Sequence, residues 1–164
     1  ISTVLKYGDE VSNILGRVTS TTAKIVQKYP RMGKFIEQQA KFAADTSSLK
    51  RLEVLNEMSL NIAEGGKITG RGFDSYSRLT KEIGSAGDKM NWGHIVERNR
   101  EKVFGSQRVN NTANVIPTPV EVNQALNDFY KKPANFTNGK TVRKWIEEQK
   151  FNTLEERFNF EFEL

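Results

Sequence analysis

Apolar residues recur at three- and four-residue steps through the first half of this chain, and that rhythm constrains the fold more than any other feature. In VSNILGRVTSTTAKIVQKY, Val11, Ile14, Leu15 and Val18, then Ile25 and Val26, fall on one side of a helical repeat. Pro30 ends the segment, because it has no amide proton to continue the ladder. The same spacing resumes from Met32 to about Ala63. A break is predicted near Thr46–Ser48, where a hydroxyl could cap a new helix from Leu49. The first half therefore reads as helix.

Beyond it lies GGKITGRG, residues 65–72, with four glycines and two basic residues. It reads as a flexible loop; the spacing of a Walker phosphate loop is absent. FDSYSRLTKEIGSAG predicts a short helix closed by Gly84 and Gly87. After Lys89 the pattern changes. GHIVE and ANVIP read as two short strands separated by a polar loop. Helices are then predicted in TPVEVNQALNDFYKK, in KTVRKWIEEQ and in NTLEERFNFEFEL, the last capped by Asn152 or Thr153. The expected fold class is α+β and mostly helical. A helical region over residues 1–88 precedes a core over residues 89–164, which holds a short antiparallel β element and C-terminal helices.

A chain of 164 residues can bury a real core, and no apolar run approaches the length of a membrane span. It has no cysteine, so disulfides and thiolate metal sites are ruled out. Ile1 opens the chain without a methionine or signal peptide, so it reads as a fragment of a longer protein or a processed product. The net charge is +5, a balance that favours polyanionic partners. Residues 89–150 carry eleven Lys/Arg against six Asp/Glu, whereas the tail TLEERFNFEFEL carries one Arg against four Glu. The cationic part is therefore the part with the two strands.

That part holds the one histidine of the sequence, His94, and its densest run of asparagines. A neutral imidazole exchanges protons near neutral pH, which suits general acid–base work, although a lone histidine is more often an ordinary core or surface residue. Glu97 is three residues on, so in a strand it faces away from His94 unless the chain bends after Val96. Asn110, Asn111, Thr112 and Asn114 either hold loop backbone in turns or act on a ligand. In the second case one Asn orients the imidazole while Thr112 and another Asn donate to a phosphate. Arg98, Arg100, Lys102 and Arg108 flank the loop, as a grip on a phosphodiester or as a solvated charge run. Lys140 and Thr141 open a helix after Gly139, where a phosphate is naturally held.

The run W-G-H-I-V-E, then V-N-N-T-A-N-V-I-P, a tyrosine in the next helix and T-N-G-K-T-V-R-K-W-I resembles the C-terminal nuclease toxin domains of polymorphic bacterial toxins. These include contact-dependent growth inhibition and Rhs-type effectors, whose pattern is similar to W-H-H-I-V-E followed by H-N-T-x-N-V-I. The resemblance covers residue 91 to about 146. It implies His94, Glu97, Asn111, Thr112 and Asn114 as catalytic residues. Gly93, Asn110 and Asn123 stand where such domains often carry further histidines. In HNH-type nucleases those histidines bind a divalent metal, and a single imidazole does not build that site.

Cleavage of RNA asks less, because the 2′-hydroxyl is an internal nucleophile. The expectation is a metal-independent endoribonuclease toxin domain, with transfer RNA as the implied substrate. His94 is its acid–base group, Arg98, Arg108, Lys140 and Thr141 bind substrate, and no cofactor or metal is assigned. The implied partners are a cognate immunity protein, expected to be acidic, and, as a helper, translation elongation factor Tu. The domain is expected to travel as the end of a larger secreted or cell-surface toxin and to act in the cytoplasm of the target bacterium. The alternatives are an HNH-like metal-dependent DNase and a non-enzymatic helical interaction or translocation module.

Overall fold

The computed structural model describes residues 8–66 and 68–149, which are mostly helical with one small antiparallel sheet. Three helices form the first layer: α1 (Asp9–Lys28), α2 (Pro30–Asp45) and α3 (Leu49–Ala63). Pro30 both stops α1 and opens α2 at its first position, where its missing amide proton costs nothing. The predicted break falls at Thr46–Ser48, but Ser48 makes no side-chain cap bond to α3. The stripes meet in a core of Leu15, Val18, Ile25, Ile36, Ala40, Ala44, Leu52, Leu55 and Met58. Each large aliphatic side chain buried there contributes roughly 1.5–3 kcal/mol.

α4 (Tyr76–Ile83) is capped by Ser75, whose hydroxyl accepts from the Arg78 amide at 3.1 Å. Strands β1 (Met90–His94) and β2 (Val115–Pro119) pair antiparallel, with Met90 opposite Pro119 and His94 opposite Val115. Among the described residues each strand has a single neighbour, so Pro117 and Pro119 leave no rung of a wider sheet unmade. The polar connection between the strands is not irregular: it folds into a 3₁₀ turn at Arg98–Arg100 and two short helices, α5 (Glu101–Phe104) and α6 (Ser106–Val109). α7 (Val120–Lys131) and α8 (Val142–Glu148) follow. The helix expected in NTLEERFNFEFEL lies outside the described residues. Among the described residues no helix is long and apolar enough to cross a membrane.

Two details depart from the sequence reading. β1 starts at Met90 and ends at His94, so Ile95–Glu97 lie beyond the strand rather than within it. The glycine-rich stretch is clamped instead of loose. The Ile68 amide donates to Asn61 Oδ1 at 2.6 Å, the Arg71 amide to Thr112 Oγ1 at 2.8 Å, and Gly72 bridges to Asn111. A side chain at Gly70 would run into Thr112, Asn111 and the Ala113 amide, which explains a glycine there.

Residues on either side of position 88 share one interior. α3 places Leu52, Leu55 and Met58 in the first cluster and Val54 in a second, with Leu79, Ile83, Trp92 and Val115. Val96 packs in the first cluster. Asn61 of α3 donates to the Ala113 carbonyl at 3.0 Å. The first 88 residues thus supply the platform on which the asparagine loop is built.

Candidate functional site

His94 closes β1, and its Nε2 lies 3.0 Å from Asn110 Oδ1. Asn110 in turn donates its Nδ2 to Glu101 Oε1 at 2.6 Å. A carboxylate can only accept, so the NH₂ of this amide faces Glu101 and its carbonyl faces the imidazole. The neutral ring therefore carries its proton on Nε2 and keeps its lone pair on Nδ1, which has no partner among the described residues. Burial pushes the His94 pKa down to about 4; the Asn110 hydrogen bond and Glu101 oppose the shift, and Arg98 adds to it. At neutral pH the ring is an uncharged base.

Tyr76 of α4 packs against the imidazole with ring centroids 5.1 Å apart. Its hydroxyl donates to the Trp92 carbonyl at 2.9 Å, which holds the ring in place. The Arg98 guanidinium lies over the same ring, 4.7 Å from its centroid. Burial raises the Tyr76 pKa, so the phenol keeps its proton at neutral pH.

His94 and Glu97 reach one pocket because the chain bends between them. Asn114 makes the bend: its Oδ1 accepts from the Val96 amide at 2.9 Å, and its Nδ2 donates to the Val96 and Val109 carbonyls at 3.1 and 2.8 Å. After the backbone bond from Ile95 to Asn114, a side chain thus replaces the strand partner of Val96, and Glu97 turns back towards the imidazole side. Glu97 then forms a two-point pair with Arg143 of α8, at 3.1 and 3.3 Å. The pair is mostly shielded, with 13% of the Glu97 side chain and 31% of the Arg143 side chain exposed. Glu97 is therefore a strut for Arg143, not a free carboxylate.

The pocket encloses about 520 Å³. β1 supplies Asn91, Trp92, Gly93 and His94; α7 supplies Asn123, Leu126, Asn127 and Tyr130; Tyr76, Glu97, Arg98 and Arg143 complete it. Gly93 is a glycine because a side chain there would strike Thr118 across the sheet. Among the described residues no three His, Asp or Glu side chains gather within reach of one ion.

Several sequence-based assignments need correction. Asn111, Thr112 and Asn114 do not line the pocket; they are buried, and their side chains bond within the fold. Asn111 accepts from the Ala113 amide and donates to the Gly70 and Gln107 carbonyls. Thr112 accepts from Arg71, and Asn114 holds Val96. The imidazole is oriented by Asn110, a residue that the motif comparison treats only as a missing histidine. Arg108, exposed on α6, does not line the pocket. Lys140 pairs with Glu148, and the Thr141 hydroxyl caps α8 by accepting from the Lys144 amide at 3.2 Å. Their helix contributes Arg143 instead. Of the sequence-predicted residues, His94, Glu97 and Arg98 are brought together.

Tyr76, Arg143 and Tyr130 escaped the sequence reading. The last two lie in the motif that carries the resemblance, but no role followed from it: Tyr130 read as part of the apolar face of a predicted helix, and Arg143 as the residue after the inward Val142. Comparison with protein families, curated proteins and solved structures finds no match to this chain.

Proposed function

We infer that this chain is a ribonuclease domain that cleaves RNA by intramolecular transesterification. One observation carries the reading: the His94 imidazole is held by Asn110 and Glu101 in a single tautomer, neutral at physiological pH, on the wall of a pocket that also holds Arg98 and Arg143. Nδ1 takes the proton of a ribose 2′-hydroxyl, and the oxygen attacks the adjacent phosphorus. The bond from phosphorus to the 5′-oxygen breaks, and that oxygen takes a proton from the Tyr130 phenol, which lines the same pocket. Arg98 and Arg143 meet the charge that builds on the phosphoryl oxygens. The products are a 2′,3′-cyclic phosphate and a 5′-hydroxyl end.

The wider setting follows the motif resemblance over residues 91 to about 146. In this reading the domain is an antibacterial toxin end, delivered into a competing bacterium, with transfer RNA as substrate and elongation factor Tu as a helper. A cognate immunity protein silences it. Acidic groups on that protein would meet Arg98 and Arg143, and α7 offers Val122, Leu126 and Phe129, each 39–47% exposed beside the pocket, for apolar contact.

The test is incubation of the purified chain with transfer RNA and with plasmid DNA, each with and without EDTA, followed by analysis of the product ends. RNA cleavage that survives EDTA, leaves cyclic phosphate ends and disappears in His94→Gln supports the reading. DNA cleavage that EDTA abolishes overturns it in favour of metal-dependent DNase chemistry.

A further inference from the structure

One wall of the pocket carries amides that bond cleavage does not use. On α7, Asn123 and Asn127 stand four residues apart on one face, with Leu126 and Tyr130 beside them, and β1 adds Asn91. These amides differ from those that build the fold. Asn61, Asn110, Asn111 and Asn114 each donate from Nδ2 to a carbonyl or carboxylate. The side-chain amides of Asn91, Asn123 and Asn127 have no hydrogen-bond partner among the described residues, and all three residues line the same cavity.

An amide offers one donor and one acceptor side by side, which matches the edge of a nucleobase. It suits a phosphate poorly, since a phosphate only accepts. The rest of the wall fits a base as well. Leu126 gives an apolar surface, and the aromatic rings of Tyr130 and Tyr76 give stacking surfaces, the latter already carrying the Arg98 guanidinium. A cavity of about 520 Å³ has room for a nucleotide but not for a base pair within a duplex. In paired RNA these edges are taken up by pairing or lie in the narrow major groove of the A-form helix, so an unpaired base is the one that amides can read.

We propose that Asn91, Asn123 and Asn127 form a subsite that takes one unpaired nucleobase beside the phosphate held by Arg98 and Arg143, so that the domain selects its cleavage position by base. This rests on the reading of the pocket as an RNA-cleaving site, and a binding measurement lets the two fail separately. The full chain is titrated with the four nucleoside 3′-monophosphates, with ribose 5-phosphate and with inorganic phosphate, following the Trp92 indole by NMR. At least one nucleotide binds about tenfold more tightly than ribose 5-phosphate. The paired change Asn123→Ala and Asn127→Ala removes that preference and leaves phosphate affinity and Tm unchanged. Nucleotides that bind no better than ribose 5-phosphate overturn the subsite, as does a preference that survives the paired change. A chain that binds nucleotides by base yet cleaves no RNA keeps the subsite and loses the ribonuclease reading.

Discussion

The three-helix layer and the asparagine loop are both buried, yet they are held by opposite means. In α1–α3 the interior is mainly aliphatic, with Ile36, Leu52 and Leu55 in one apolar cluster. In the loop the interior is amide and hydroxyl: Asn110, Thr112 and Asn114 are fully buried, and their polar atoms bond backbone or other side chains. Apolar packing is set by volume and tolerates exchange of one shape for a similar one. Hydrogen-bonded packing is set by atom type, because a lost partner leaves a desolvated donor or acceptor behind. The helical layer thus gives a tolerant platform, and the loop gives fixed directions, which a proton-transfer group needs.

Four measurements sharpen or break this contrast. The largest effect is expected from Asn114→Leu, which keeps the volume but strands the Val96 amide and the Val96 and Val109 carbonyls. At ~1–3 kcal/mol for each of the three stranded groups, the loss is ~3–9 kcal/mol in chemical denaturation. A loss below that of an ordinary aliphatic swap would show that the loop is not held by its hydrogen bonds. Next comes His94→Gln, expected to lower RNA cleavage by ~10²–10⁴-fold with little change in Tm. Activity that persists would move the chemistry away from β1.

The third effect is on pH. The folded His94 pKa of about 4 lies below the ordinary 6.5, so the unfolded chain takes up the proton first as pH falls. The contribution is complete above pH 6.5 and is lost as pH falls to about 4, amounting to ~3 kcal/mol. The stability gap between wild type and His94→Gln should change by that amount between pH 7 and pH 4. The acidic limb of the cleavage profile should likewise sit near pH 4, and a limb near 6.5 would mean that the imidazole is not shielded. The smallest effect belongs to Leu55→Met in the helical layer, which should cost less than ~1.5 kcal/mol by thermal unfolding.

Much of the helical layer was legible because periodicity is a local property. Pro30 and the Thr46–Ser48 break could be placed from neighbouring residues alone. The strands were legible as a pair but not in register: beyond His94 the Ile95 amide still donates to the Asn114 carbonyl, and the Asn114 side chain then takes the Val96 amide. The glycine stretch looked loose because its partners, Asn111 and Thr112, lie some forty residues away. Among four neighbouring polar residues, nothing local says which one faces the imidazole. Asn110 does so because α6 ends there and Glu101 waits on α5.

By itself, then, the sequence determined the helical periodicity, the change of pattern after Lys89, the absence of thiol chemistry and the presence of one imidazole in a cationic segment. Those follow from residue type and short-range spacing. Only the tertiary structure decided that Glu97 supports Arg143, that Asn110 rather than Asn111 or Asn114 fixes the His94 tautomer, and that Tyr76, Tyr130 and three unpartnered amides share the pocket. Each of those depends on hydrogen bonds and ring contacts between residues distant in the chain, which compete for partners only once the core has closed.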